Sequence, residues 1–422
     1  MSERRDEPFF FTWTAQRGAR PLSLAGGRGA WFWGEDGERW LDLGSLVYQV
    51  NAGHGHRGIV EAVRAQAERL CVGHPRAVYP EKRRLAEELL QVAPPGFGRV
   101  FFTLGGAEAN ENALKIARLV TGRYKVVSRY RSYHGATLGA VTLTGDWRRA
   151  PVEPGIAGVA HVLDWDCPSC PFGVRAPDCD HEPLTWIPRV LEEEGDVGAV
   201  VIEVVVGHNG VLLPPPGYLQ RVRQACDRHG ALLVFDEVLT GFGRTGRWLA
   251  LEHFGVVPDI VTLGKGLTSG YGPLGAVLVR EAIAEHFEER VLAAGLTHYA
   301  HPLGVAAALG ALRAYREEGL VERAAETGRW LAARLDELQR DSGGRVRQFR
   351  SLGLLAGLEL QGYETPEAWA RLLAALEARR LFVPNNARHR MLLLAPPLCI
   401  ERTELQQGLE GLLQALRETA GT

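Results

Sequence analysis

Lysine is nearly absent from this chain of 422 residues: of 48 lysines and arginines together, only Lys82, Lys115, Lys125 and Lys265 are lysines. Arginine supplies positive charge everywhere else. It stays protonated at any accessible pH, whereas a buried lysine can shed its proton and act as a nucleophilic amine. Long apolar runs are missing as well. No stretch approaches the roughly 18 residues that a membrane span needs, and the opening MSERRDEPFFFTW has a charged head but too short an apolar stretch for a secretory signal. A net charge of -2 gives no bulk attraction to nucleic acid or to an anionic membrane. Six cysteines are too few for a disulfide scaffold in a chain this long, so a reducing cytoplasm is the expected setting. There is no internal repeat and no low-complexity tract. An apolar content of 46% with 23% charged residues fits a soluble globular protein, and at roughly 150 residues per domain the length suggests two or three domains.

What is present is an alternation. GRVFFTL (98–104), KVVSRY (125–130), GAVVIEVVV (198–206), GALLVFDEV (230–238), DIVTLG (259–264) and LGAVLVR (274–280) are β-rich runs bounded by Gly or Pro. Helical patterns lie between them, as in Ala109, Ala113, Ile116, Ala117 and Val120, whose spacing suits one helix face. Such alternation predicts an α/β fold with a mostly parallel sheet covered on both faces. Residues 59–292 are expected to form this large domain. Residues 1–58, with a hairpin in GAWFWGEDGERWLDL, and the helix-rich 293–422, with short strands near LLAGLEL and HRMLLLAPP, are expected to combine as a smaller α+β domain.

In an open α/β sheet, ligands bind beyond the carboxyl ends of the strands. Lys265 stands there, just past Ile260–Leu263 and between two glycines, and Asp236 closes the apolar run 232–235. Gly105 and Gly106 follow another strand and open a helix, where free backbone N–H groups and the positive dipole end suit a phosphate. Each feature has an ordinary explanation alone: a solvated lysine, a helix cap, a turn. Together, at successive strand ends, they form the set that pyridoxal phosphate requires, namely an anchor for the phosphate, a reactive lysine and an acid for the ring nitrogen.

The segments GGAEANENALKIAR, YRSYHGATLGA, LVFDEVLTGFGRTG, PDIVTLGKGL and GLTHYAHPLG, in this order and spacing, resemble the class III aminotransferases, pyridoxal-phosphate enzymes of fold type I. The resemblance implies a seven-stranded type of sheet and assigns roles by position. Lys265 resembles the Schiff-base lysine and Asp236 the partner of the ring nitrogen. Val238 matches the residue packed under the ring and Tyr133 the aromatic on its other face, with His134 beside it. Gly106 and Ala107 match the phosphate pair, Glu203 a glutamate near the ring, and Tyr48 an aromatic at the pocket mouth. Thr297 matches a threonine that reaches the phosphate of the neighbouring subunit, which implies a homodimer with shared sites. Three departures stand out. Gly105-Gly106-Ala107-Glu108 replaces Ser-Gly-Ser-Glu, Glu203-Val204 replaces Glu-Pro, and Asn386 stands where many relatives carry an arginine for the substrate carboxylate. Arg388 is expected to take over that duty. The implied reaction moves an amino group from an ω-amino acid, a taurine-like sulfonate or a simple amine to a 2-oxo acid such as pyruvate; aminomutases and decarboxylases share the scaffold.

Other readings are weaker. GFGRTG (241–246) satisfies G-x-G-x-x-G, but five residues separate it from the apolar run and no acid lies near 20 positions on, so a nicotinamide oxidoreductase is disfavoured. A P-loop fails because Gly266, not Ser or Thr, follows Lys265. Cys167, Cys170, Cys179 and His181 permit a structural zinc, but usual sites space the second ligand pair further away. A surface insertion with reduced thiols, or one bridge, is the reading preferred over a metal.

Overall fold

The computed structural model describes residues 7–19, 21–165 and 186–419. Three short strands open the chain: β1 (Gly26–Arg28), β2 (Trp31–Trp33) and β3 (Arg39–Asp42). The expected hairpin is β2 against β3, with Phe32 opposite Trp40. Seven strands follow, β4 (Phe97–Thr103), β5 (Lys125–Arg129), β6 (Val159–Val162), β7 (Val197–Glu203), β8 (Leu232–Asp236), β9 (Ile260–Leu263) and β10 (Gly275–Arg280). They form one sheet in the order β4-β10-β9-β8-β7-β5-β6. All neighbours are parallel except β10, which runs against both β4 and β9. Of the last strands, β11 (Val346–Leu352), β12 (Leu355–Leu360), β13 (Leu381–Phe382), β14 (Asn385–Asn386) and β15 (Met391–Leu394), all but β13 build a second small sheet. β13 instead pairs with β3, so the two chain ends share one sheet.

The large sheet is apolar on both faces because alternate residues point to opposite sides. Ala199, Val201, Val234, Ile260 and Val277 face the helix Gly106–Thr121, through its Ala109, Ala113, Ile116 and Ala117. Val200, Ile202, Leu233, Phe235 and Val261 face the other way, toward Leu219, Val222 and Cys226 of the helix Tyr218–His229. Each such buried aliphatic side chain contributes about 1.5–3 kcal/mol. This is the α/β architecture that the alternation predicts. Within this sheet the strand missed from sequence is β6, a short edge strand whose pattern includes His161. No helix among the described residues is long and apolar enough to cross a membrane.

Candidate active site

Parallel pairing brings three side chains to one sheet edge. Glu203 ends β7, Asp236 ends β8 in register with it, and Thr262 of β9 is in register with Asp236. Lys265 follows two residues after β9, at φ +43°, a conformation costly for a residue with a Cβ. Its glycine neighbour Gly266 has a packing cause: a Cβ there would lie 2.5 Å from Asn51 Nδ2. A cavity of about 600 Å³ opens over this edge, lined by Lys265, Asp236, Glu203, Val238, Gly106, Ala107, Tyr133, His134 and Tyr48. Nine of the residues singled out from sequence thus converge on one space.

Asp236 is buried and firmly held. Its Oδ2 accepts from Asn110 Nδ2 at 2.7 Å and meets His134 Nδ1 at 2.7 Å, while Oδ1 accepts from the Val238 amide at 3.0 Å. A carboxylate already accepting N–H bonds makes Nδ1 the donating nitrogen of His134. Asn110 is itself fixed, since Thr262 Oγ1 donates to its Oδ1 at 2.8 Å and its Nδ2 also reaches the His134 carbonyl at 2.7 Å. Glu203 accepts from the amides of Tyr133 at 3.1 Å and Gly207 at 2.8 Å. Burial raises the Glu203 carboxyl above its usual range, against the opposing charge of His134. Burial also pushes the Lys265 ammonium below its ordinary value, with Asp236 and Glu203 opposing. A lysine that gives up its proton more readily can serve as nucleophile and base.

These residues fit pyridoxal phosphate. The helix Gly106–Thr121 begins at the cavity with no side chain capping it, so its N–H groups and dipole are free for an anion. Gly106 permits the close approach: a Cβ there would lie 2.5 Å from Val238 Cγ1. Asp236 is the buried acid, Lys265 the amine, and Val238 and Tyr133 offer an aliphatic and an aromatic surface.

Two expected residues do not join them. Thr297 is exposed and does not line the cavity of its own chain. Arg388 is exposed in the short turn Ala387–His389 and does not line it either. The arginine that does is Arg148, whose guanidinium carbon stands 3.9 Å from the Tyr133 ring centroid. It is paired with Asp146 through Nη2 at 2.5 Å. Trp13, Trp147 and His208 complete the wall, with His208 Nδ1 3.0 Å from Tyr48 Oη. Burial, then Arg148, depress His208 to about 4, so the ring is neutral near pH 7. Asn110 could have been found from sequence, as a polar residue on an otherwise apolar helix face. Arg148 carries no such local mark.

The rival motifs resolve differently. Arg244 of GFGRTG is buried and donates to the carbonyls of Leu354 at 3.0 Å and Pro396 at 2.5 Å and to Asn51 Oδ1 at 2.8 Å. The motif is a packing turn joining distant segments. Cys167, Cys170, Cys179 and His181 lie outside the described residues. Among the described residues, no cluster of His, Cys, Asp or Glu could hold a metal ion.

Comparison with known proteins agrees with this geometry. The family model for aminotransferase class-III matches residues 14–416. The acetylornithine aminotransferase of Mycolicibacterium smegmatis is 37% identical, over 96% of this chain and 95% of its own length. The taurine–pyruvate aminotransferase of Rhodobacter capsulatus is 33% identical, over 95% of this chain and 92% of its own. Among solved structures, taurine:2-oxoglutarate aminotransferase from Bifidobacterium kashiwanohense, in complex with PLP and glutamate, superposes with a TM-score of 0.90 at 36% identity. That match covers 97% of this chain and 95% of the other. A sheet edge that presents a lysine, a buried aspartate and an open helix end, in a chain matched along nearly its whole length, thus belongs to a class III aminotransferase, a transaminase that works with pyridoxal phosphate.

Proposed function

We propose that the enzyme transfers an amino group from a small amine donor to a 2-oxo acid, pyruvate in the first instance, in two alternating stages at one site, and that Arg148 rather than Arg388 holds the acid group. The observation that carries this reading is the placement of Arg148. Among the described residues, Lys265 and Arg148 are the cationic lysine and arginine side chains lining the cavity. Lys265 is committed to the chemistry. A carboxylate entering a partly dry site needs a paired cation, and guanidinium suits it. A relative named for taurine and pyruvate fits the same choice of substrate class.

When bound, the cofactor supplies an electron sink for the carbon that loses its proton. The chain's own residues do the rest. The helix end at Gly106 and Ala107 binds the phosphate. Asp236, fixed by Asn110 and His134, holds the proton on the ring nitrogen, and Val238 and Tyr133 confine the ring. Lys265, with its proton loosened by burial, removes a proton from the donor carbon and returns one to the cofactor. Glu203 is placed near the ring by the two amides it accepts from, and Tyr48 shapes the entrance.

The same reading includes a homodimer in which Thr297 completes the partner's phosphate site. Its exposure supports this, as do the bare apolar side chains Val72, Val78 and Val291, which are 75%, 71% and 85% exposed. A cytoplasmic setting suits the unpaired thiols Cys71, Cys226 and Cys399. The test is Arg148→Gln. It should raise the KM for pyruvate about tenfold or more, a loss of ~1.4 kcal/mol, and change the half-reaction with an amine that has no acid group much less. An unchanged pyruvate KM overturns the assignment.

A further inference from the structure

The ion pair at the cavity wall is built more firmly than a substrate clamp alone requires. Arg148 Nη2 donates to Asp146 Oδ2 at 2.5 Å, and Nε lies 3.1 Å from both carboxylate oxygens. The Arg148 amide donates to Oδ1 at 3.0 Å, so the turn itself orients the carboxylate. The side chains of Asp146 and Arg148 are only 3% and 10% exposed. Beyond them, Asn209 Nδ2 donates to Asp146 Oδ2 at 3.1 Å, and Asn386 Nδ2 donates to Asn209 Oδ1 at 3.1 Å. Both asparagines are buried. Asn386, the residue expected from sequence to leave a gap in substrate recognition, is thus the far end of a chain that terminates on Arg148.

A two-stage transaminase faces a charge problem. One stage brings a carboxylate to the wall, and the other can bring an amine with no acid group. A lone buried guanidinium would hold the first and repel the second, because an unpaired charge in a dry site is costly. A guanidinium with a fixed internal counter-ion is tolerable in both stages. Nε and Nη2 stay with Asp146, while Nη1 makes no hydrogen bond among the described residues and remains a donor for an anion in the cavity that Arg148 lines. We propose that Asp146 sets specificity as the resident counter-ion of Arg148, letting one wall accept substrates with and without a carboxylate in turn, with Asn209 and Asn386 as positioning residues. This rests on the assignment of Arg148 as the partner of the substrate's acid group.

The experiment uses the holoenzyme with two probes: propionate as a non-reacting carboxylate and 2-propylamine as a donor without an acid group. Asp146→Asn unmasks the cation, so the inhibition constant of propionate should fall about tenfold while the KM for 2-propylamine rises about tenfold. The double variant D146N/R148Q, neutral again, should return the amine KM toward that of the wild type and lose propionate binding. Asn386→Ala should move both probes in the same opposed directions as Asp146→Asn, by about threefold. Opposed movement supports the proposal, and movement of both probes together, or of neither, overturns it. Should Asp146→Asn fail to fold, Asn386→Ala, which leaves the ion pair in place, decides. The two levels separate cleanly. An indifferent Arg148→Gln defeats the Arg148 reading, whereas a responsive Arg148→Gln with joint movement in the Asp146 variants defeats the counter-ion alone.

Discussion

Asn110→Ala isolates the question of how much the buried carboxylate of Asp236 depends on its support. The substitution removes the 2.7 Å hydrogen bond to Asp236 Oδ2 and the 2.7 Å bond to the His134 carbonyl, and it strands the Thr262 hydroxyl. Asn110 is 1% exposed, so water does not readily replace these partners. A bond to a charged acceptor is worth about 1.5–3 kcal/mol, and stranded buried groups add to the loss, so stability should fall by ~2–4 kcal/mol. The share felt by the reaction is smaller. Asp236 keeps His134 and the Val238 amide but gains freedom to rotate, and one lost charge-assisted bond corresponds to roughly a ten- to hundredfold slower proton transfer at 1.36 kcal/mol per decade. The assay pairs urea unfolding of the holoenzyme with the single-turnover amine half-reaction at saturating donor, followed by cofactor absorbance. A rate within about twofold of the wild type, alongside the predicted loss of stability, would mean that Asn110 serves packing alone and leaves Asp236 unaffected.

Two further outcomes bear on the site. The rate at which added pyridoxal phosphate reacts with apoenzyme requires a neutral amine, so it should rise with pH through a midpoint below the ordinary lysine value of 10.5, because burial lowers the Lys265 ammonium. A midpoint at or above that value contradicts a lowered Lys265. Mixing inactive Lys265→Ala and Thr297→Ala subunits should restore part of the activity, since one site of the heterodimer carries both lesions and the other neither. No recovery despite demonstrated subunit exchange excludes Thr297 from the partner's site.

The strand ends were legible because their signals are local. Lys265 stands out against an arginine-rich background, Asp236 terminates an apolar run, and the glycine pair before Ala107 announces a close approach. The alternation of elements was likewise enough for a mostly parallel sheet. β6 escaped because an edge strand buries too little to display a full apolar pattern. Arg388 was singled out for its distance from Asn386 along the chain, and chain distance says nothing of direction: the short turn Ala387–His389 leaves it exposed while Asn386 points inward. Arg148 is one arginine among many. The role proposed for it rests on Tyr133 beneath it and Asp146 beside it, contacts that only the folded chain supplies.

The register of β7, β8 and β9 has a consequence for how such an enzyme can change. Glu203, Asp236 and Thr262 are spaced by the interstrand hydrogen-bond ladder, about 4.8 Å per step, and not by the course of any loop. Trp13, Val47, Trp147 and Arg148, by contrast, belong to none of those three strands, yet they face the same cavity. On the roles proposed above, support of the cofactor ring and choice of substrate are thereby inscribed on separate stretches of chain. A new donor can be acquired by redrawing the rim while the inherited reaction runs on undisturbed beneath it, a division of labour that leaves selection, natural or in the laboratory, free to act on one without risking the other.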